Sequence, residues 1–246
     1  MGVSVAVVIP AAILVLLYAR GLDRWIERTR PHSTWRSISF FAGEAEEGRL
    51  DEVLRDCRNQ ALKPVYNYMK DLPSLTGEPP PFLPRMHVRR TSGSLSSVDL
   101  GRGCPYQCSF CTIINVQGRK SRFRTPEDLE AIVRENYKQG VTSFFITDDN
   151  MARNKHWEDF FDKLIELKEN EGIEVSLIIQ VDTQCHRIPN FIHKARWAGV
   201  YRVFIGLENV NPDNLMAAKK RQNKITEYRK MLQAWHKAGI STWAGY

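Results

Sequence analysis

A chain of 246 residues with a 43% hydrophobic share carries enough apolar material for a buried core, which excludes a disordered protein and allows one large domain or two small ones. Its 35 Lys and Arg against 28 Asp and Glu leave a net charge of +7. That charge is dispersed: the densest stretches, Gly118 to Arg124 and Lys219 to Lys224, are short and lack interleaved aromatics, so no nucleic-acid partner is expected and both read as solvated faces, with a phosphate or carboxylate contact as the minor alternative.

The first segment, Val3 to Ala19, is almost wholly apolar and close to the ~17 to 25 residues that span a bilayer. No Lys or Arg precedes it, which argues against a signal peptide, whereas Arg20, Arg24, Arg28 and Arg30 follow it. A membrane anchor that keeps the remainder cytoplasmic and a non-native leader over residues 1–42 both stay open.

Glu44 to Lys70 reads as helical, with Leu50, Val53, Leu54 and Leu62 at helix-like spacing. A Pro-rich connector follows over Leu72 to Pro84, so residues 43–94 form a helix-and-linker extension and the main domain is expected over 95–246. There, short β-rich runs alternate with longer helical patterns, the sign of an α/β fold with a parallel sheet. Strands are expected at Ser97 to Leu100, Thr142 to Thr147, Val175 to Val181, Tyr201 to Leu207 and Ser241 to Tyr246. Helices are expected near Pro126 to Gln139, His156 to Asn170, Pro189 to Ala198 and Thr226 to Ala238. Thr125, Pro126 and Asp128 make a strong helix start, and Gly140, Gly172, Gly199 and Gly239 each stand where a helix should stop.

The chemistry is concentrated in the loop after the first of these strands, where Cys104, Cys108 and Cys111 follow a Cys-x3-Cys-x2-Cys spacing. Five cysteines, three of them within eight positions, are no disulfide framework and point to a reducing compartment. Soft thiolates suit iron, and three of them hold three corners of a cubane while leaving the fourth iron open to a substrate. A structural zinc site is the alternative, although no second Cys-x2-Cys knuckle or spaced histidine pair accompanies the loop. Cys57 and Cys185 read as incidental thiols, Cys185 standing in a loop just past a strand. Parallel α/β sheets collect ligands at the carboxyl ends of their strands, where the chain has Asp148-Asp149-Asn150, Gln180 with Asp182, and Glu208.

The cysteine spacing, with Tyr106 inside it and Phe110 before the last cysteine, resembles the radical S-adenosylmethionine superfamily, whose motif is Cys-x3-Cys-x-aromatic-Cys. The resemblance implies a 4Fe-4S cluster on Cys104, Cys108 and Cys111, S-adenosylmethionine on the open iron, and a 5′-deoxyadenosyl radical acting on a small-molecule substrate. An electron donor of the flavodoxin or ferredoxin type is implied as well. It places Phe110 beside the adenine, with Tyr106 nearby, gives the methionyl amino group to Asp148 or Asp149, and gives ribose or neighbouring polar contacts to Gln180, Asp182 and Glu208. Asp148-Asp149-Asn150 stands where the family usually has a Gly-Gly-Glu-like sequence.

From about Gly43 to the end the chain is similar to the cobalamin-dependent branch, in which a cobalamin-binding domain precedes a partial (β/α) barrel of six strands. Gly43 to Glu46 resembles the exit of that domain, but no Asp-x-His-x-x-Gly cobalamin motif exists in the sequence, so cobalamin is not carried over. Five of six strands are counted and the Gly-rich segment that normally follows the fifth is missing, so the chain is expected to be a fragment. The expected activity is a radical methylation or related rearrangement; the alternative is a non-catalytic iron–sulfur or zinc-binding remnant.

Overall fold

The computed structural model describes residues 39–44, 49–79, 83–91, 93 and 95–246. Val3 to Ala19 therefore lies outside the described residues, and among these no helix is long and apolar enough to cross a membrane. The chain divides into two compact units, one reaching to Pro73 and including 115–117, the other formed by 74–114 and 118–246.

In the first unit, β1 (Phe40–Ala42) and β2 (Val65–Asn67) pair in parallel, joined through helix α1 (Arg49–Arg58). Phe41, Val53 and Tyr66 are buried together, with Leu62 and Tyr68 against them. The expectation of one helical segment from Glu44 to Lys70 is corrected here. The helix ends at Arg58, Gln60 takes a left-handed φ of 55°, and Val65 to Asn67 is a strand. Pro64 bars the helix from running on into residues 65–67, since proline lacks the amide that a helix needs and drives the preceding residue toward extended backbone. The aromatic and β-branched residues beyond it then suit a strand.

The second unit begins with α2 (Arg85–Thr91), a helix that lacks a clear apolar periodicity and was not expected. Its sheet, five-stranded among the described residues, runs in the order β3 (Leu95–Val98), β6 (Ser143–Ile146), β7 (Ser176–Val181), β8 (Val200–Gly206) and β9 (Ser241–Gly245), all parallel. The short antiparallel pair β4 (Gly101–Arg102) and β5 (Arg122–Phe123) lies outside it. The α/β reading and the five strands hold, with no closed barrel among the described residues.

Four longer connections are helical: α3 (Pro126–Lys138), α4 (Trp157–Glu171), α5 (Phe191–Trp197) and, after a short α6 (Pro212–Ala217), α7 (Ile225–Lys237). Their apolar sides bury Leu129, Ile132, Phe160, Phe161, Leu164, Phe191, Met231 and Trp235 against Phe144, Ile146, Leu177, Ile179, Val203 and Ile205 of the strands. Alternation along each strand turns the intervening residues to the opposite face, where the register partners Phe204 and Trp243 are exposed. Only one face of the sheet is thus sealed by these helices.

The helix signals act as read. Thr125 Oγ1 accepts the Asp128 amide at 3.2 Å while Asp128 Oδ2 accepts the Thr125 amide at 3.0 Å, a reciprocal cap behind Pro126 worth about 1 kcal/mol. Gly140, Gly172, Gly199 and Gly239 all have positive φ, from 68° to 99°, at the ends of α3, α4, α5 and α7.

Candidate functional site

Strands β4 and β5 close the loop 103–121, with Gly101 opposite Phe123 and Arg102 opposite Arg122. All three thiols of the motif lie inside it. The loop is held from within by Cys104 N–H to Gly118 C=O at 3.2 Å and Cys111 N–H to Cys108 C=O at 3.1 Å. Cys108 is buried, while Cys104 and Cys111 are half-buried. Burial pushes the Cys104 thiol up, a backbone hydrogen bond at Tyr106 opposes this, and the charges of Cys111 and Cys108 push it further. Among the described residues no three His, Cys, Asp or Glu side chains are grouped to hold a single metal ion. In a cubane each thiolate binds its own iron, so the three ligands need not converge on one point, and three soft donors on one loop fit that requirement.

The end of β6 lies against this loop. Asp149 Oδ2 accepts the Gly103 amide, next to Cys104, at 2.7 Å. Burial is the main reason that the Asp149 carboxyl is pushed up to about 6; the Gly103 amide opposes it and the charges of Asp148 and Asp99 add to it. Asp148 is buried, and both its oxygens are taken, Oδ2 by Asn154 Nδ2 at 2.6 Å and Oδ1 by the Asn150 amide at 3.1 Å. Its carboxyl is also raised, mainly by burial. Gly101 makes this approach feasible, since a Cβ there would stand 2.5 Å from Asp148 Oδ2. Of the two acids, Asp149 is the one left partly open. Gln180 of β7 is half-buried and donates Nε2 to the Asp148 carbonyl at 3.4 Å.

Asp182, at the end of β7, is engaged by protein groups on all sides. Arg153 grips it with Nε to Oδ2 at 2.6 Å and Nη2 to Oδ1 at 2.9 Å; Asn150 Nδ2 reaches Oδ2 at 3.1 Å, the Gln184 amide reaches Oδ1 at 2.6 Å, and Tyr106 Oη lies 3.3 Å away. Tyr106 thereby ties the cysteine loop to β7, with the Arg153 guanidinium 5.7 Å from its ring centre. Burial first, then the Asp182 charge, hold the Tyr106 hydroxyl in its protonated form. Two buried polar atoms beside this network, Asn150 Oδ1 and Gln184 Nε2, have no partner among the described residues.

Glu208 follows β8 with a left-handed φ of 63°, and its Oε1 accepts Lys220 Nζ at 2.5 Å. Lys220 is only 9% exposed, which corrects the reading of Lys219 to Lys224 as a solvated face at that residue: the carboxylate contact is the one realised. Its ammonium stands 5.6 Å from the Phe110 ring centre. Phe110 itself is 55% exposed, so its ring face is available to a ligand. The stretch after α6 also reaches the cysteines, through Ser109 N–H to Ala218 C=O at 2.9 Å and Gln222 Nε2 to Cys108 Sγ at 3.4 Å.

Tyr106 and Asp182 are thus in direct contact, Cys104 is tied to Asp149 through the Gly103 amide, Cys108 to the stretch after α6 through Gln222, and Phe110 to Glu208 through Lys220, while Cys111 is held through its backbone amide and Gln180 bonds the Asp148 carbonyl. Cys185 is fully buried in the core, its thiol pushed up to about 12 by burial, and Cys57 lies in the other unit. Asn150 belongs to the rim as part of the Asp148-Asp149-Asn150 strand end, and Arg153, Lys220 and Gln222 join it without having been expected there. Only the basic cluster around Lys220 offered a signal.

A profile described as the Radical SAM superfamily matches residues 98–246. Hopanoid C-2 methylase of Rhodopseudomonas palustris (strain TIE-1) is 28% identical over 153 residues, which cover 61% of this chain and 29% of that protein. Bacteriochlorophyllide d C-8(2)-methyltransferase of Chlorobaculum tepidum is 29% identical over 218 residues, covering 82% of this chain and 46% of that one. The chain thus spans less than half the length of either relative. The fold is shared with the cobalamin-dependent S-adenosylmethionine radical enzyme OxsB, solved with aqua-cobalamin and S-adenosylmethionine bound: TM-score 0.62, 17% identity, 91% of this chain and 34% of that one. It is shared too with the radical S-adenosylmethionine methyltransferase TsrM of Kitasatospora setae, at TM-score 0.58 and 17% identity over 70% of this chain and 33% of that one. With the profile covering more than half of its length, the chain belongs to the radical SAM superfamily.

Proposed function

We propose that the chain is the cluster-bearing part of a radical S-adenosylmethionine enzyme that supports a methylation or related rearrangement of a small molecule. The observation that carries this is the Gly103-to-Asp149 hydrogen bond, which joins the three-thiol loop to an acidic strand end. Cys104, Cys108 and Cys111 would hold the 4Fe-4S cluster. When bound, the cluster supplies one electron to the sulfonium of S-adenosylmethionine, whose cleavage gives methionine and a 5′-deoxyadenosyl radical able to take hydrogen from a substrate.

Asp149 is the better partner for the methionyl ammonium, because it is the carboxylate with capacity left, and an ionised acid is what a charge-assisted bond to an ammonium requires. Asp148 supports it from beneath. Phe110 would lie against the adenine with its exposed face. Gln180, half-buried at the end of β7, is the group left for the ribose. With Asp182 already gripped by Arg153, its role is to hold Tyr106 and Asn150 in place, and Glu208 acts together with Lys220.

The methyltransferases among the relatives favour methyl transfer as the outcome. Cobalamin is bound by OxsB, which shares the fold, whereas the sequence of this chain lacks the Asp-x-His-x-x-Gly motif. A cytoplasmic setting suits the need for reduced thiols, and the one electron that the cluster passes on calls for a donor of the flavodoxin or ferredoxin type; Val3 to Ala19, through which membrane contact would run, lies outside the described residues. Anaerobic reconstitution tests the reading. The expected result is about four iron per chain and release of 5′-deoxyadenosine on adding dithionite and S-adenosylmethionine. Retention of zinc without visible absorption would instead establish a structural metal-binding remnant.

A further inference from the structure

Between α6 and α7 the chain returns to the rim and touches the cysteine loop, and one contact there falls on a ligand sulfur itself. Gln222 Nε2 donates to Cys108 Sγ at 3.4 Å, within the range for a bond to sulfur. Cys108 is the most buried of the three thiols, at 8% exposed, and a donor to a charged sulfur counts for more where water is excluded. The amide is offered from a fixed support. Asn223 donates Nδ2 to the carbonyls of Gly206 at 3.0 Å and Leu207 at 2.8 Å, and accepts Thr183 Oγ1 at 3.1 Å. Thr183 Oγ1 also reaches the Gln222 carbonyl at 3.4 Å, and Ala218 holds the Ser109 amide on the far side of the same turn. The ends of β7 and β8 therefore set where the Gln222 side chain begins.

We propose that Gln222 is a positioning residue that sets the reduction potential of the cluster through its N–H bond to the Cys108 sulfur. This rests on the reading of Cys108 as a cluster ligand. Reduction adds negative charge to the cluster and its sulfurs; a hydrogen bond to one of those sulfurs stabilises the reduced state and raises the potential. The rim of β7 and β8 is in this way coupled to how readily the cluster accepts its electron.

The test is EPR-monitored redox titration of the full chain after anaerobic reconstitution, wild type against Gln222→Leu, Gln222→Met and Gln222→Glu. Leu and Met remove the donor, Met keeping the length, and Glu places an acceptor at the same site. At about four iron per chain in each, the midpoint potential is expected to fall in Leu and Met and to fall further in Glu, with one exchangeable-proton coupling lost from the reduced cluster's ENDOR spectrum. Wild-type potentials in variants that hold the cluster would overturn the proposal. So would variants that fold, by circular dichroism, yet take up no iron, because Gln222 would then serve assembly rather than tuning. A wild-type chain that takes up no iron would instead sink the proposed function beneath it.

Discussion

Arg153 and Asp182 form a two-point pair, 2.6 and 2.9 Å long, in which the carboxylate is 5% exposed and the guanidinium 28%. The pair joins the short helical turn after β6 to the end of β7, and Tyr106 of the cysteine loop leans on both partners. Removing one member strands the other. Arg153→Ala should cost about 3 kcal/mol, because the Asp182 carboxylate stays buried without its counter-charge. Asp182→Asn, which keeps the shape and removes the charge, should cost less. Urea unfolding midpoints of the wild type and the two variants measure the costs, and a wild-type midpoint in Arg153→Ala would mean that the pair does not carry the stability.

Asp149 predicts a pH dependence. Its carboxyl is raised to about 6 in the folded chain, chiefly by burial, against about 4 when unfolded. Between those values the folded chain keeps a proton that the unfolded chain has released, so stability falls as pH rises through the window and levels off above it, by at most about 1.4 kcal/mol per pH unit from this group. Asp148 is raised as well and contributes with the same sign. Asp149→Asn should flatten the fall in part, as seen in unfolding free energies measured from pH 4 to 7.

Two glycines at the rim should respond differently to a methyl group. At Gly101 a Cβ would press on Asp148 Oδ2 at 2.5 Å and Asn154 Nδ2 at 2.8 Å, both short side chains buried and bonded to each other. Gly101→Ala should cost about 2 to 3 kcal/mol. At Gly206 the obstacles are Glu208 Oε1 at 2.5 Å and Lys220 Nζ at 2.8 Å, the tips of long side chains that can swing aside. Gly206→Ala should cost about 1 kcal/mol or less while disturbing the Glu208–Lys220 pair. Thermal melts rank the two; the reverse order would refute this steric account.

Four of the five cysteines should separate into two behaviours. Cys104→Ala, Cys108→Ala and Cys111→Ala should each abolish or sharply reduce iron uptake with little effect on the far-ultraviolet spectrum. Cys185, fully buried in the core, should do the opposite: Cys185→Ala keeps iron uptake and lowers stability by about 1 kcal/mol. Iron assay beside chemical denaturation distinguishes them, and loss of iron in Cys185→Ala would be incompatible with the assignment.

The capping box at Thr125 and the glycine stops were legible because each is complete within a few residues, and so were the five strands between helices of contrasting period. The strand pairs β1 with β2 and β4 with β5 were not. They are two or three residues long, too short for a period, and exist only because their partners supply the hydrogen bonds. The break in the helix before β2 could have been read from Pro64.

By itself the sequence determined the α/β alternation, the thiol loop after the first main strand and the acidic ends of the strands that follow, since these depend on local backbone preference and on the spacing of chemically distinct side chains. Tertiary structure alone decided which charges are spent and which remain open. Asp182 finds Arg153 across 29 positions and Cys108 meets Gln222 across 114. Such pairings are chosen by burial and chain closure: a polar group removed from water takes whichever partner the fold brings within reach, and nothing near it in the chain announces that partner.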